Sequence, residues 1–369
     1  MSQQQPPDDS DHIFLFLPGP VEVRREVLDA QTAWMIGHRS EAFRALFARV
    51  QPKLRQLFQT QYRVYVSTSS GTGLWEAASR CCVRPDRPIL HLTNGAFGAR
   101  WADVSRANGK EVGVVEAPWG QAVKPEQVAE ALAARPYDAV ALAYNETSTG
   151  VMNPLPAIAE VVRAFPDTLL LVDAVSALAG APLPTDAWGI DVCLTSSQKA
   201  IALPPGLAFA AVSDRALARA AEVPHRGYYF DFLELEKYLL RDQTPATPAI
   251  SLLYAADLQL DTILAEGLDA RAARHAHMAQ MTQAWALARG FGLFAEEGYR
   301  SPTVTAVANT REVDVGALNK FLNARGMALS NGYGALKGKT FRIGHMGEVT
   351  PARLQTLLEA VDDFLDEQP

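Results

Sequence analysis

The residues with the most chemistry to offer in this 369-residue chain sit where apolar runs stop. Lys199 falls in SSQKA (196–200), just past the run DVCL, and is followed by apolar AIALPPG. Lysine is among the residues least often fully buried, so a lysine here ordinarily opens a solvated loop. Asp173 closes TLLLVD, which puts its carboxylate at the rim of a sheet; its ordinary alternative is a helix N-cap. Ser70, Gly71, Thr72 and Gly73 follow YRVYV and run into a helix, whose free N–H groups and dipole suit an anion such as a phosphate. No GK[ST] follows, so this is not a Walker loop. Phe97 occupies a glycine-flanked turn in NGAFGARW, Thr147 lies in YNETSTG, and Arg342 lies in FRIGHMG. Singly, these read as a core aromatic, turn chemistry and a surface arginine.

The elements that must position these residues are short β-rich runs: YRVYV (62–66), PILHL (88–92), EVGVV (111–115), DAVALA (138–143), TLLLV (168–172), DVCLT (191–195) and AFAAV (208–212). Helical segments separate most of them, the signature of an α/β domain. Several runs are apolar throughout, as expected for a mostly parallel sheet covered on both faces, and ligands of such sheets collect at the carboxyl ends of the strands. After residue 256 the pattern changes. A long amphipathic helix (264–289, stopped by Gly290) precedes TVTAVAN (303–309) and FRIG (341–344). A last helix is signalled by Thr350 as N-cap, Pro351 in its first turn and Leu354, Leu357, Leu358, Val361 and Leu365 on one face. This predicts a tail of 1–11 without order, a large α/β domain over 12–255 whose N-terminal segment reaches the site, and a smaller α+β domain over 256–369. His275 and His277 are expected on the polar side of the long helix; a spacing of two does not make a metal pair on one helical face.

Placed on that sheet, the unusual residues gather at strand ends and form the parts list of a pyridoxal phosphate site. A lysine amine can form a Schiff base with the aldehyde, and burial near a cation lowers its pKa so that it also moves protons. A carboxylate keeps the pyridine nitrogen protonated, which makes the ring an electron sink. An aromatic stacks on the ring, and an arginine takes the substrate carboxylate in a bidentate fork.

With these residues in view, the sequence resembles the class V, fold type I pyridoxal phosphate-dependent aminotransferases, in particular the alanine-glyoxylate and serine-pyruvate group. The resemblance runs from LFLPGPVEV (15–23) to FRIGHMG (341–347) and rests on SSGTG, NETSTGV, LLVDAVSALAG, SSQKA with PPG, QTPATPAISL (243–252) and RIG. It implies a large domain with a mostly parallel seven-stranded sheet and a smaller C-terminal domain. It implies Lys199 as the Schiff-base lysine, Gln198 beside the phenolic oxygen, and Asp173 on the ring nitrogen with Val175 beneath the ring. Phe97 takes the stacking place, Ser70, Gly71 and Thr72 the phosphate, and Thr147 a further polar contact. Gln243 and Thr244 would reach the phosphate of the neighbouring subunit in a homodimer. Arg342 would bind the α-carboxylate, with Gly19 of the PGP turn close to it, and loops near Gly19, His38 and Tyr229 would select the side chain. Tyr144 stands where relatives often carry histidine. The implied reaction passes an amino group from alanine or serine to glyoxylate or pyruvate, since no second cationic clamp for a dicarboxylate or phosphorylated side chain is evident.

Other classes fit less well. A formal net charge of −7, with no cluster of Lys and Arg, excludes a basic field for nucleic acid. No apolar stretch has membrane-spanning length. The N-terminus has neither the positive start nor the apolar core of a signal peptide, and three cysteines form no CxxC or disulfide framework, so a cytoplasmic location is expected. A sulfur-transferring relative would need a late cysteine, yet none follows Cys193. A Rossmann dehydrogenase would need GxGxxG, which SSGTGLWE does not supply. Phosphoserine aminotransferase and a noncatalytic binding protein on the same fold are the alternatives.

Overall fold

The computed structural model describes residues 12–367; the expectation for residues 1–11 lies outside them. The seven runs read from the sequence are the seven strands of one sheet, ordered Arg63–Ser67, Ala208–Val212, Val192–Ser196, Leu169–Asp173, Ala139–Ala143, Ile89–Thr93 and Val112–Glu116. Ala208–Val212 runs antiparallel to both neighbours and the remaining pairs are parallel. The uniform apolarity of the central strands has a direct cause: alternate residues feed two cores. Leu170 and Val172 pack with helices Glu41–Phe58 and Ile250–Glu266 on one face, while Leu169 and Leu171 join helix Gly71–Cys82 and Trp101 on the other. A solvent-facing sheet would have needed alternating polar residues.

A second sheet orders Phe14–Phe16, Met327–Asn331, Thr340–Gly344, Val304–Ala308 and Gly292–Leu293. Helix Pro351–Asp366 covers it with Leu354, Leu357, Leu358, Val361 and Leu365, and Thr350 Oγ1 accepts a bond from Arg353 N as the N-cap. Phe14–Phe16 pairs in parallel with Met327–Leu329, so the chain's first strand belongs to the smaller sheet and not to the large domain expected from residue 12. Three residues carry no periodicity that could reveal this.

Two further expectations change. The long helix begins at Leu268, not 264, because Gly267 adopts φ +86° and separates it from helix Ile250–Glu266. The expected boundary at 255/256 falls inside that preceding helix, whose Leu253, Ala255, Ala256, Leu260 and Ile263 all pack in the large-sheet core. His275, expected on the polar side, is fully buried. Its Nδ1 donates to the Arg271 carbonyl (2.7 Å) and its Nε2 accepts from Gly347 N (3.0 Å), which fixes a neutral ring and lowers its pKa far below the ordinary value through burial. His277 is exposed. No helix among the described residues is long and apolar enough to cross a membrane.

Candidate active site

The strand Val192–Ser196 ends in a tight turn that makes Lys199 something other than the start of a solvated loop. Ala200, Ile201, Ala202 and Leu203 are all buried, which accounts for the apolar residues after the lysine. Their carbonyls would be costly to bury unpaired, and the chain answers from elsewhere: Arg271 Nη2 donates to Ala200 O (2.9 Å) and Gln259 Nε2 to Ile201 O (2.9 Å). Arg271, itself buried, also pairs with Glu266 (2.6 Å) and Glu348 (3.0 Å). The Lys199 amine donates to the Pro18 carbonyl. Gly19 comes so close that a Cβ on it would lie 2.6 Å from Lys199 Nζ, and its φ of +121° also requires glycine. Burial pulls Lys199 down to about 8, helped by the charge of Arg342 and opposed by Asp173 and Glu146.

Lys199 opens into a cavity of about 320 Å³. Of the residues expected at the cofactor, Ser70, Gly71, Thr72, Phe97, Thr147, Asp173, Val175 and Gln198 line it, together with Gly19. Asp173 Oδ1 accepts from Val175 N (2.7 Å) and Oδ2 from the indole of Trp75 (2.9 Å). These neutral donors do not offset the loss of water, so burial drives Asp173 up to about 7. Phe97 lies in the first turn of helix Ala96–Ala107 and not in a turn as expected. Its N–H and that of Gly98 donate to the buried Glu146 carboxylate (3.0 and 2.9 Å), which anchors the ring's backbone.

Other expected residues are placed differently. Arg342 is buried, donating from Nε to Asn331 O (3.2 Å) and from Nη1 to Thr147 O (3.3 Å). It stands behind Tyr333, 5.4 Å from the ring centroid, and Tyr333 is the residue that faces the cavity. Gly19 packs on Lys199, while Leu17 and Pro18 are the residues that run against Gly344, two positions past Arg342. The Thr147 hydroxyl is paired with Ser176 Oγ (2.6 Å). Gln243 and Thr244 are not brought to this cavity within one chain. Arg39 holds both, through the Gln243 side chain (3.3 Å) and the Thr244 carbonyl (2.6 Å), and Thr244 lines a separate groove with Tyr228 and Tyr229. Tyr144 bonds Pro182 O (3.3 Å) and packs edge-on to Trp188.

The family model for class-V aminotransferases matches residues 17–344. The chain belongs to that family. This class-V aminotransferase is 34% identical to the L-aspartate–glyoxylate aminotransferase of Paracoccus denitrificans, over 92% of this chain and 87% of the relative. It is 33% identical to the serine–glyoxylate aminotransferase of Arabidopsis thaliana, over 95% and 90%. A crystal structure of alanine–glyoxylate aminotransferase from Nostoc sp. superposes with a TM-score of 0.92 at 32% identity, covering 98% of each chain. The aminotransferase is an enzyme of the fold type I class that depends on pyridoxal phosphate and transfers an amino group between an amino acid and an oxo acid.

The cavity fits that cofactor on its own terms. Ser196 Oγ, Gln198 Oε1 and Asn145 Oδ1 line it, are buried, and have no hydrogen-bond partner among the described residues; buried polar groups of this kind call for a polar ligand. Ser70 stands at the N-cap of helix Gly71–Cys82 without using its side chain to cap it, which leaves the hydroxyl beside the free end of the dipole for a phosphate. A Cβ at Gly71 would lie 2.8 Å from Val175 Cγ2, so glycine keeps that helix start against the cavity floor. Sequence reasoning missed Trp75, Arg100, Asn145, Ser176, Ser196 and Tyr333. Asn145, Ser176 and Ser196 were within reach, since all three lie in the motifs that carry the resemblance; Trp75, Arg100 and Tyr333 meet the site only through tertiary packing.

Proposed function

We propose that the protein passes the amino group of a small amino acid, alanine or serine, to a small 2-oxo acid, glyoxylate or pyruvate. It would act in the cytoplasm as a homodimer in which the partner's Gln243 and Thr244 complete each phosphate site. The observation that carries the reading is a lysine amine whose pKa is lowered to about 8 in the same cavity as a buried carboxylate. The names of the Nostoc and Arabidopsis relatives support the donors and glyoxylate as acceptor. We also propose a division into a cofactor domain and a smaller domain, with the turn at Gly267 in place of 255/256 and the first strand on the smaller side.

When bound, pyridoxal phosphate supplies an aldehyde for the amine and a ring that draws electrons from the substrate α-carbon. Gln198 and Asn145 would offer acceptors to its ring substituents, and Ser70, Gly71 and Thr72 would hold its phosphate. The Asp173 carboxylate would hold a proton on the ring nitrogen, and a cation there would favour its ionised form. Trp75 and Val175 N aim both oxygens of that carboxylate. Lys199 Nζ, neutral in substantial fraction near its lowered pKa, would take the proton from the α-carbon and return it two atoms further along, a task that an amine at its ordinary pKa of about 10.4 performs poorly near neutral pH. Arg342 orients the α-carboxylate, and its two carbonyl partners fix the direction of its fork.

The test is a half-reaction panel: the spectral change of the holoenzyme mixed with individual amino acids, then recovery with individual oxo acids. Turnover of alanine or serine with glyoxylate or pyruvate is expected. Failure of all four pairs overturns the reading.

A further inference from the structure

We infer that the Tyr333 ring is a gate over Arg342, latched shut by Arg100 and Phe97, that must turn aside before the α-carboxylate of a substrate can reach its arginine. The inference rests on the reading of Arg342 as the carboxylate-binding residue and deepens it, because it names the residue that controls access to that arginine.

The cavity and the arginine do not meet. Tyr333 lines the cavity and Arg342 does not; the Arg342 guanidinium lies 5.4 Å from the centroid of the ring that stands in front of it. Arg342 is buried, two of its nitrogens donate to the carbonyls of Asn331 and Thr147, and it meets no carboxylate among the described residues. An aromatic ring is a modest partner for such a cation, whereas a carboxylate forms two charge-assisted bonds with the same fork. Ring and substrate therefore compete for one place.

The backbone beneath Tyr333 is fixed while its side chain can turn. Gly332 N donates to Thr340 O (2.9 Å), Leu336 N donates to Tyr333 O (3.0 Å), and a Cβ on Gly332 would collide with Leu336 O. These contacts pin the segment between strands Met327–Asn331 and Thr340–Gly344. Tyr333 has φ −96° and ψ 134°, an extended backbone on which two χ1 rotamers are common, and it is half-buried. The latch comes from the other sheet's helix Ala96–Ala107. Arg100 Nη2 donates to the Tyr333 hydroxyl, its guanidinium lies 5.9 Å from the ring centroid, and Phe97, three residues earlier, packs on the ring at 5.2 Å. Arg100 is exposed, so water takes over its donor when the ring leaves, and the net cost of opening is modest.

A site that is open for a fraction of the time binds more weakly by that fraction. Loosening the latch should therefore tighten carboxylate binding, the reverse of what removing a binding contact does. The experiment titrates propionate, which is alanine without its amino group, into the holoenzyme by calorimetry in wild type, Tyr333→Phe, Tyr333→Ala, Arg100→Gln and Arg342→Gln. Tyr333→Phe keeps the ring and removes the bond that holds it, and propionate should bind about threefold more tightly. Tyr333→Ala removes the gate itself and should tighten binding about tenfold, with faster association by stopped flow; Tyr333→Phe decides the matter alone if this variant does not fold. Arg100→Gln, which also frees the ring, should bind propionate at least as tightly as wild type, and Arg342→Gln should bind it about tenfold more weakly or worse. An unchanged or weaker constant in the Tyr333 variants, with binding lost in Arg342→Gln, overturns the gate and leaves the reading of Arg342 intact. Binding retained in Arg342→Gln and lost in Arg100→Gln would strike the reading of Arg342 itself, and the gate with it.

Discussion

Two buried aspartates stand at opposite ends of adjacent strands. Asp138 immediately precedes Ala139–Ala143 and Asp173 closes Leu169–Asp173, strands that pair in parallel from Ala139↔Leu169 to Ala143↔Asp173. Asp138 is ringed by Arg84 (2.7 Å), Arg219 (3.3 Å) and Arg87 (3.4 Å), and the Arg84 backbone adds a further bond; its carboxyl is held below the usual range. Asp173 has only an indole and a peptide N–H, and burial leads. The amino end of the sheet spends arginines on neutralising a carboxylate for good. The carboxyl end leaves its carboxylate waiting for a cation, with small residues around it that leave room for the molecule bringing one.

The comparison would break most visibly at Asp173. Asp173→Asn keeps shape and removes the charge, so the holoenzyme should lose on the order of 10²-fold or more in kcat, as when one preorganised electrostatic group is removed, with an unchanged far-UV spectrum. Rates within threefold of wild type would place the working carboxylate elsewhere. Asp138→Asn should do the reverse. It strands three partly exposed arginines and should cost about 3 kcal/mol of unfolding free energy, read by denaturant midpoint, with kcat per folded molecule close to wild type. A large kcat effect without destabilisation would end the distinction between the two sites.

The last effect is one of sign and is the most diagnostic, because the two carboxylates respond to pH in opposite directions. Asp138, with a lowered pKa, contributes stability that is complete above its ordinary value of 3.8 and is lost as pH falls through the lower folded value. Asp173 in cofactor-free protein holds its proton up to about 7 while the unfolded chain releases it near 3.8, so its contribution is lost as pH rises between those values. The melting temperature of cofactor-free Asp173→Asn should therefore gain on that of wild type from pH 4 to pH 7. A difference that stays flat across that range would show that burial does not control Asp173.

The difference between these ends also explains what could be read in advance. All seven strands of the large sheet were legible because each is a short apolar run bounded by turn residues, and Lys199, Asp173 and the Ser70–Thr72 cradle were legible because they interrupt such runs. The smaller sheet was half legible: Val304–Ala308 and Thr340–Gly344 carry strand composition, whereas Phe14–Phe16 and Gly292–Leu293 are too short to show a period. Arg100 looked like any surface helix arginine, since nothing local announces that Tyr333, 233 residues later, will meet it. His275 was misjudged because its burial depends on Gly347 from another element.

The parallel pairing of Phe14–Phe16 with Met327–Leu329 reaches beyond the finished enzyme, to its synthesis. The segment carrying Pro18 and Gly19 leaves the ribosome near the start, but its strand has no partner until more than three hundred further residues have been added. Contacts of such sequence separation form slowly and late. The large sheet, whose strands are complete by Val212, can assemble during elongation, and Val21, which packs in its core and donates from its N–H to the Gln198 carbonyl (3.2 Å), ties the segment beside Lys199 to that sheet before the smaller one exists. The last strands made then fasten the outer end of a segment whose inner end is already held next to the cofactor lysine.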